Sequence, residues 1–330
     1  MKKVTGISSK WRGDKPLIWI GWQVNKHCPF QCHYCEKFTW GDKNPANFTW
    51  EVYERMADKL IDKYKYGHME FTGGEPLTFP YLDQLISKFY DAGWTIGILT
   101  NLGKRKEAYK HWIGKVDYVC ASYHANVINT DKKREAWFEK LDNMGTYIPM
   151  ICRIILDPKH WDHVLNVFHT LRTDNLLLLE PVRLLAFHNV FSNDKDLADT
   201  HYTLEQNKTI DTLEARIGHA TGTKLPSEIT LTYDDGTTET NEGLEAFNSV
   251  SVLSRSRQNN FKGWSCDIGI NSLWVGGDGQ ISKGGCHSFD QKFIGDIDKL
   301  NEVQWPTEST ICPYDLCYCD LDTIISKRKI

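Results

Sequence analysis

The residues of this chain with the most chemistry to offer are its ten cysteines, and they are unevenly placed. Three stand together in Cys28-Pro-Phe-Gln-Cys32-His-Tyr-Cys35, a C-x3-C-x2-C spacing. Five more lie far downstream, at Cys266, Cys286, Cys312, Cys317 and Cys319, with Cys120 and Cys152 singly between. A disulfide scaffold is small and evenly stapled, so two distant groups in 330 residues favour metal ligation. Three thiolates on one short loop grip one face of a metal centre. A four-iron cluster usually takes four cysteines, and three leave one iron with an open position for a cofactor or substrate. The alternative is a zinc knuckle completed by His27 or His33.

Further along, Thr72-Gly73-Gly74-Glu75-Pro76 follows an apolar run. Glycines let backbone approach a neighbour closely, and Glu75 is an acceptor for an ammonium group. Thr100-Asn101 and Ser122 end two further apolar runs, and Arg153 sits inside another. An arginine buried there requires a ligand or a carboxylate such as Glu180. His124, just past Ser122, is placed either to position a substrate or to be solvated in a loop. Cys120 and Cys152 fall within apolar runs and read as small buried hydrophobes.

The first cysteine group resembles the C-x3-C-x-aromatic-C signature of the radical S-adenosylmethionine (SAM) family, with Tyr34 in the aromatic position. Gly73-Gly74-Glu75-Pro76 looks like that family's GGEP motif, in the expected order. The resemblance covers about residues 17–186. It implies a [4Fe–4S] cluster on Cys28, Cys32 and Cys35, whose open iron chelates the amino and carboxylate groups of SAM. It places Tyr34 beside the adenine, and Gly73, Gly74, Glu75, Pro76, Asn101, Ser122 and Arg153 around SAM. One electron then cleaves SAM to a 5′-deoxyadenosyl radical that abstracts a substrate hydrogen. A donor such as flavodoxin or ferredoxin supplies the electron.

The second group, a cysteine, a hairpin, another cysteine and a terminal pair, is similar to the twitch appendage, the shorter relative of the SPASM extension. That likeness implies one auxiliary [4Fe–4S] cluster on four of Cys266, Cys286, Cys312, Cys317 and Cys319; structural zinc is the competing reading. The terminal C-x4-C-x-C departs from the C-x2-C of relatives, which leaves open which four ligate.

These residues need a scaffold, and the apolar rhythm describes one. Strands are expected at 17–24, 68–72, 95–100, 116–122, 147–156 and 176–185, rich in Ile, Val, Leu and Tyr as strands buried on both faces are. Helices fall between: Val52, Met56 and Leu60 before Gly67; Leu82, Leu85, Ile86 and Phe89 between Pro80 and Gly93; Trp137, Leu141 and Met144 before Gly145; Val164, Val167, Phe168 and Leu171. Repeated strand–helix–strand units mean a parallel sheet, open or part of a barrel, with chemistry at the strand C-termini. After about residue 187 the rhythm breaks, and hairpins are expected at 229–238 and 272–282.

The fold expected is therefore α/β: a partial (β/α)6 TIM-like barrel with a small C-terminal α+β cluster-binding appendage. The expected organisation is a tail at 1–16, the barrel at 17–190, a connecting segment at 191–225 and the cluster appendage at 226–330. The basic ends, Lys2, Lys3, Lys10 and Arg12, then Lys327, Arg328 and Lys329, offer contacts to phosphate, but such ends are more often solvated tails.

Hydrophobic residues make up 41% and charged residues 25%, with net charge −4, so nothing demands nucleic acid or an anionic membrane. There is neither a membrane-spanning run nor a signal-peptide pattern, and the cytoplasm is the default location. The expected activity is radical oxidation, isomerisation, epimerisation or crosslinking of a small molecule, nucleoside or peptide. The last would be a ribosomal peptide met through a separate recognition protein. The rival reading is a non-catalytic iron–sulfur protein that carries electrons or scaffolds a partner.

Overall fold

The structure, a computed structural model, describes residues 2–11, 15–16, 18–35, 47–103, 108–171, 177–183, 202–213, 216–217, 227–242, 253, 258–315, 317 and 325–330. In chain order the first half holds β1 (Val4–Trp11), β2 (Lys15–Pro16), β3 (Trp19–Gln23), α1 (Trp50–Tyr64), β4 (His68–Thr72), α2 (Leu82–Asp91), β5 (Thr95–Thr100), β6 (Tyr118–Tyr123), α3 (Asp131–Gly145), β7 (Met150–Leu156), α4 (Trp161–Leu171) and β8 (Leu177–Arg183). The second half holds α5 (Leu204–Thr212), β9 (Arg216–Ile217), β10 (Ser227–Tyr233), β11 (Thr238–Glu242), β12 (Ser265–Cys266), β13 (Ser272–Val275), β14 (Gln280–Ser282), α6 (Gly285–Phe289), β15 (Phe293–Asp296), β16 (Thr310–Ile311) and β17 (Lys327–Arg328).

Strands β3 to β8 are parallel and adjacent in chain order, as the strand–helix rhythm requires. Alternate residues sort to the two faces. Ile20, Trp22, Met69, Phe71, Ile96, Ile98, Val119 and Ala121 turn to the helices and form one core with Tyr53, Met56, Leu60, Leu85 and Phe89. The opposite face is polar. His68 is fully buried; its Nδ1 meets Thr95 Oγ1 at 2.8 Å and its Nε2 meets the Tyr118 hydroxyl at 3.2 Å. That hydroxyl donates to Glu70 Oε1 at 2.8 Å, so it accepts from a protonated Nε2. Burial pushes the His68 imidazole down to about 3 and keeps it neutral. Gly97 makes the room: a Cβ there would lie 2.4 Å from the Tyr118 ring.

The structure corrects the expected organisation at two places. Residues 4–11, expected in a tail, form β1, which pairs with β10 and β17 in a second, antiparallel sheet of order β11-β10-β1-β17-β12-β16. Alternation within Val4 to Trp11 is too polar to announce a strand, but Val4 and Ile7 bury against Ile229, Leu231 and Phe261. The hairpin β13–β14, expected at 272–282, falls in the stretch given to the appendage. Yet β13 lies parallel to β3 and extends the main sheet, which runs β15-β14-β13-β3-β4-β5-β6-β7-β8-β9. The other hairpin, β10–β11, turns at Gly236 as expected. Among the described residues no pairing joins β15 to β9, so the sheet is not closed.

Candidate functional site

The loop after β3 carries the first cysteines, and the loop after β4 clamps it. Gly74 N donates to Asn25 O at 3.0 Å and Glu75 N to His27 O at 2.8 Å. A Cβ on Gly74 would meet His27 O at 2.4 Å, so glycine here admits the cysteine loop itself. Glu75, fully buried, ties this layer to the end of β5. Its Oε1 accepts from Thr100 Oγ1 at 2.7 Å and Leu77 N at 2.9 Å, and its Oε2 from Asn101 N at 2.7 Å. Burial pushes its carboxyl up to about 7, although these three donors and Lys140 pull the other way. Asn101 completes the connection, with Nδ2 donating to Cys28 Sγ at 3.3 Å.

Cys32 is buried, Cys28 is half-buried and Cys35 is exposed. Cys35 N donates to Cys32 O at 3.0 Å, which folds the loop back and brings the two thiols into hydrogen-bonding contact. That contact and burial hold the Cys32 thiol well above its ordinary value; burial lifts Cys28 to about 11. Each thiolate opposes ionisation of the next, so the set is suited to a cationic metal centre that removes the repulsion. Among the described residues no three His, Cys, Asp or Glu side chains converge on the position of a single metal ion.

Around the loop, Tyr34 and His124 share a 2.8 Å bond between the hydroxyl and Nδ1, with ring planes 20° apart. Phe30 meets His124 edge-on, and burial pushes that imidazole down to about 4. His124 is therefore held in place, not free in a loop. His33 turns to Asp157, with Nε2 at 3.5 Å from Oδ1, and His160 approaches Oδ2 at 4.0 Å. Asp157 is fully buried at the end of β7, and its Oδ2 has no hydrogen-bond partner among the described residues. Sequence reasoning missed it; a carboxylate between a strand and Pro158 reads only as a helix cap, which it also is, through Lys159 N at 3.0 Å.

Ser122 and Arg153 are both half-buried and lie opposite one another in β6 and β7. Arg153 is also opposite Glu180 of β8, and its charge favours the ionised form of Tyr118. The structure thus joins Gly73 to Pro76, Asn101 and Cys28 in one bonded layer, while Arg153 belongs to the polar face of the sheet.

The second cysteine group gathers as well. Cys266, Cys286, Cys312 and Cys317 line one pocket, partly open to solvent, with Phe261, Ile268, His287, Tyr314 and Lys327. Cys312 N donates to Trp264 O and Cys317 N to Asn259 O, each at 2.8 Å, so both are pinned to the segment before β12. Cys319 lies outside the described residues. Four thiols around one apolar pocket are a donor set for an iron–sulfur cluster or zinc.

The two groups are mechanically joined. At the tip of the β13–β14 hairpin, Gly277 N donates to Gln23 Oε1 at 3.0 Å, and Asp278 pairs with Lys26 Nζ at 2.7 Å. Both partners belong to the strand and loop that lead to Cys28.

Residues 22–126 match the sequence model of the Radical SAM superfamily. Two solved structures of anSMEcpe, one a histidine-tagged form with bound AdoMet and one with bound AdoMet and the Kp18Cys peptide, are each 14% identical, with a TM-score of 0.55 over 88% of this chain and 81% of theirs. Streptococcus suis SuiB bound to precursor peptide SuiA is 11% identical, with a TM-score of 0.54 over 86% of this chain and 64% of that one. At such identities the likeness is one of fold. The stretch similar to that superfamily's model is residues 22–126, and Cys28, Cys32 and Cys35 lie within it.

Proposed function

We propose that this protein is a radical SAM enzyme built on a partial barrel, with one auxiliary cluster in a twitch-like C-terminal part. The observation that carries the reading is the bonded layer beneath Cys28: the GGEP loop, Glu75 and the end of β5 all converge on the three-cysteine loop. Cys28, Cys32 and Cys35 would hold the first [4Fe–4S] cluster. When bound, it supplies the electron that cleaves SAM to a 5′-deoxyadenosyl radical, which takes a hydrogen from the substrate.

The chain's own residues do the positioning. Glu75 has its oxygens engaged by Thr100, Leu77 and Asn101, so it fixes the loop that meets SAM, and the backbone of Gly73 and Gly74 forms the contact surface. Asn101 orients the Cys28 sulfur. Tyr34, braced by His124, closes the adenine side. Ser122 and Arg153, on neighbouring strands, serve the ribose and carboxylate.

Cys266, Cys286, Cys312 and Cys317 would hold the auxiliary [4Fe–4S] cluster. Full protein ligation suits electron transfer or structure. A peptide is the substrate class favoured by the comparison, since anSMEcpe and SuiB are both seen with peptides; small molecules and nucleosides are the other classes to assay. A flavodoxin or ferredoxin in the cytoplasm is the fitting electron donor. Among the described residues no helix is long and apolar enough to cross a membrane.

Anaerobic reconstitution with SAM and dithionite tests the proposal. Release of 5′-deoxyadenosine is expected, with about eight irons and eight sulfides per chain. A fully loaded protein that releases none would be an electron carrier or scaffold instead. About four irons plus one zinc would put zinc in the second pocket.

A further inference from the structure

The chain end that reads as a solvated basic tail places one lysine inside the second cysteine pocket. Lys327 is only 4% exposed. Its backbone is fixed on both sides, opposite Cys266 of β12 and Ile7 of β1. Its Nζ stands 4.5 Å from the centre of the Phe261 ring and 4.0 Å from Cys317 Sγ. The remainder of the pocket wall is apolar side chains and thiols, with Thr310, Tyr314 and His287.

The Phe261 ring gives the ammonium a cation–π contact. Four thiolates on a [4Fe–4S] cluster would make the pocket net anionic, and more so by one charge after reduction. The reduction potential of such a cluster rises with nearby positive charge and with hydrogen bonds to its sulfurs.

We propose that Lys327 is a positioning residue for the auxiliary cluster: its ammonium points at the Cys317 sulfur and raises the reduction potential of the cluster held there. This rests on the reading that the second pocket holds iron–sulfur. It assigns the chain end an electrostatic role in keeping that cluster reducible by the donor.

The test uses the full chain carrying Cys28→Ala, Cys32→Ala and Cys35→Ala, so that signals arise from the second site alone. After anaerobic reconstitution, metal is counted and the midpoint potential is read by electron paramagnetic resonance during a dithionite titration. Lys327→Met should keep about four irons and lower the midpoint by about 59 mV or more, a tenfold change in the one-electron equilibrium. Lys327→Arg, which keeps the charge, should stay near the parent value. An unchanged midpoint in an iron-loaded Lys327→Met protein overturns the role of Lys327 while leaving the cluster assignment standing. Should Lys327→Met lose its iron, Lys327→Gln carries the same titration, and a parent-like midpoint there overturns the inference equally. Zinc in place of iron in the parent protein overturns the underlying reading instead, and the metal count separates that outcome from the others.

Discussion

The two cysteine groups are assembled in opposite ways. Cys28, Cys32 and Cys35 share one loop after one strand, and closing so short a loop costs little chain entropy. Cys266, Cys286 and the pair Cys312 and Cys317 come from three separate stretches, held together by strand pairings and by backbone bonds to residues 259–264. The first group is thus a local device, which a neighbouring loop needs only to clamp. The second exists only when the antiparallel sheet does. Three sulfurs in the first leave a position open, whereas four in the second can close a cluster completely.

The largest effects should come from cutting each group in turn. Cys32→Ala is expected to reduce 5′-deoxyadenosine release to background by chromatography; normal cleavage in that variant would remove the first group from the chemistry. Cys317→Ala should lose about four irons yet still cleave SAM, and fail to form product. Loss of cleavage with the first cluster intact would erase the division of labour.

Next comes the clamp. Glu75→Gln puts an amide where three donors expect acceptors, at a cost of about 1–3 kcal/mol in unfolding free energy. The pH dependence has a defined sign. The Glu75 carboxyl is lifted from 4.5 to about 7 in the folded chain, so folding takes up a proton between those values. Its contribution to stability is complete at the acid end and drains away as pH rises through about 7. Denaturation of the metal-free protein should therefore show stability falling more steeply over that window in the parent than in Glu75→Gln. Equal slopes would mean the carboxyl titrates normally.

The smallest effect probes the join between the groups. Asp278→Ala removes a partly exposed ion pair with Lys26 and should cost under about 1 kcal/mol by thermal unfolding. A large loss of first-cluster iron in that variant would show that the hairpin tip, more than the GGEP loop, holds the Cys28 loop in place.

What could be read in advance follows the same division. The parallel strands, their helices and the Cys28 loop were legible because each rests on a short-range pattern: doubly buried apolar runs, helical periodicity closed by Gly93, and three cysteines in eight residues. The hairpin β13–β14 was legible from its Gly276-Gly277-Asp278-Gly279 turn, but its place beside β3 was not, since nothing local says which strand edge it will seek. Val4 to Trp11 and Lys327 were misread for a related reason. Both are polar by composition, and their burial is conferred by partners distant in the chain, β10 for the first and β12 and β1 for the second. Asp157 went unnoticed because a single carboxylate has no spacing to recognise.

The pairing of β1 with β10 and β17, and of β13 with β3, sets an order of events during synthesis. Strands β3 to β8 can pair as they leave the ribosome, one crossover at a time. The outer edge of β3 and most of β1, apart from the Lys10–Trp11 end that pairs with β2, must wait for partners made much later. Until then the nascent chain presents an open strand edge beside the loop that carries Cys28, and the hairpin tip that braces this loop has not yet been made. Cluster insertion that follows release of the finished chain would meet both cysteine sites at once, already coupled.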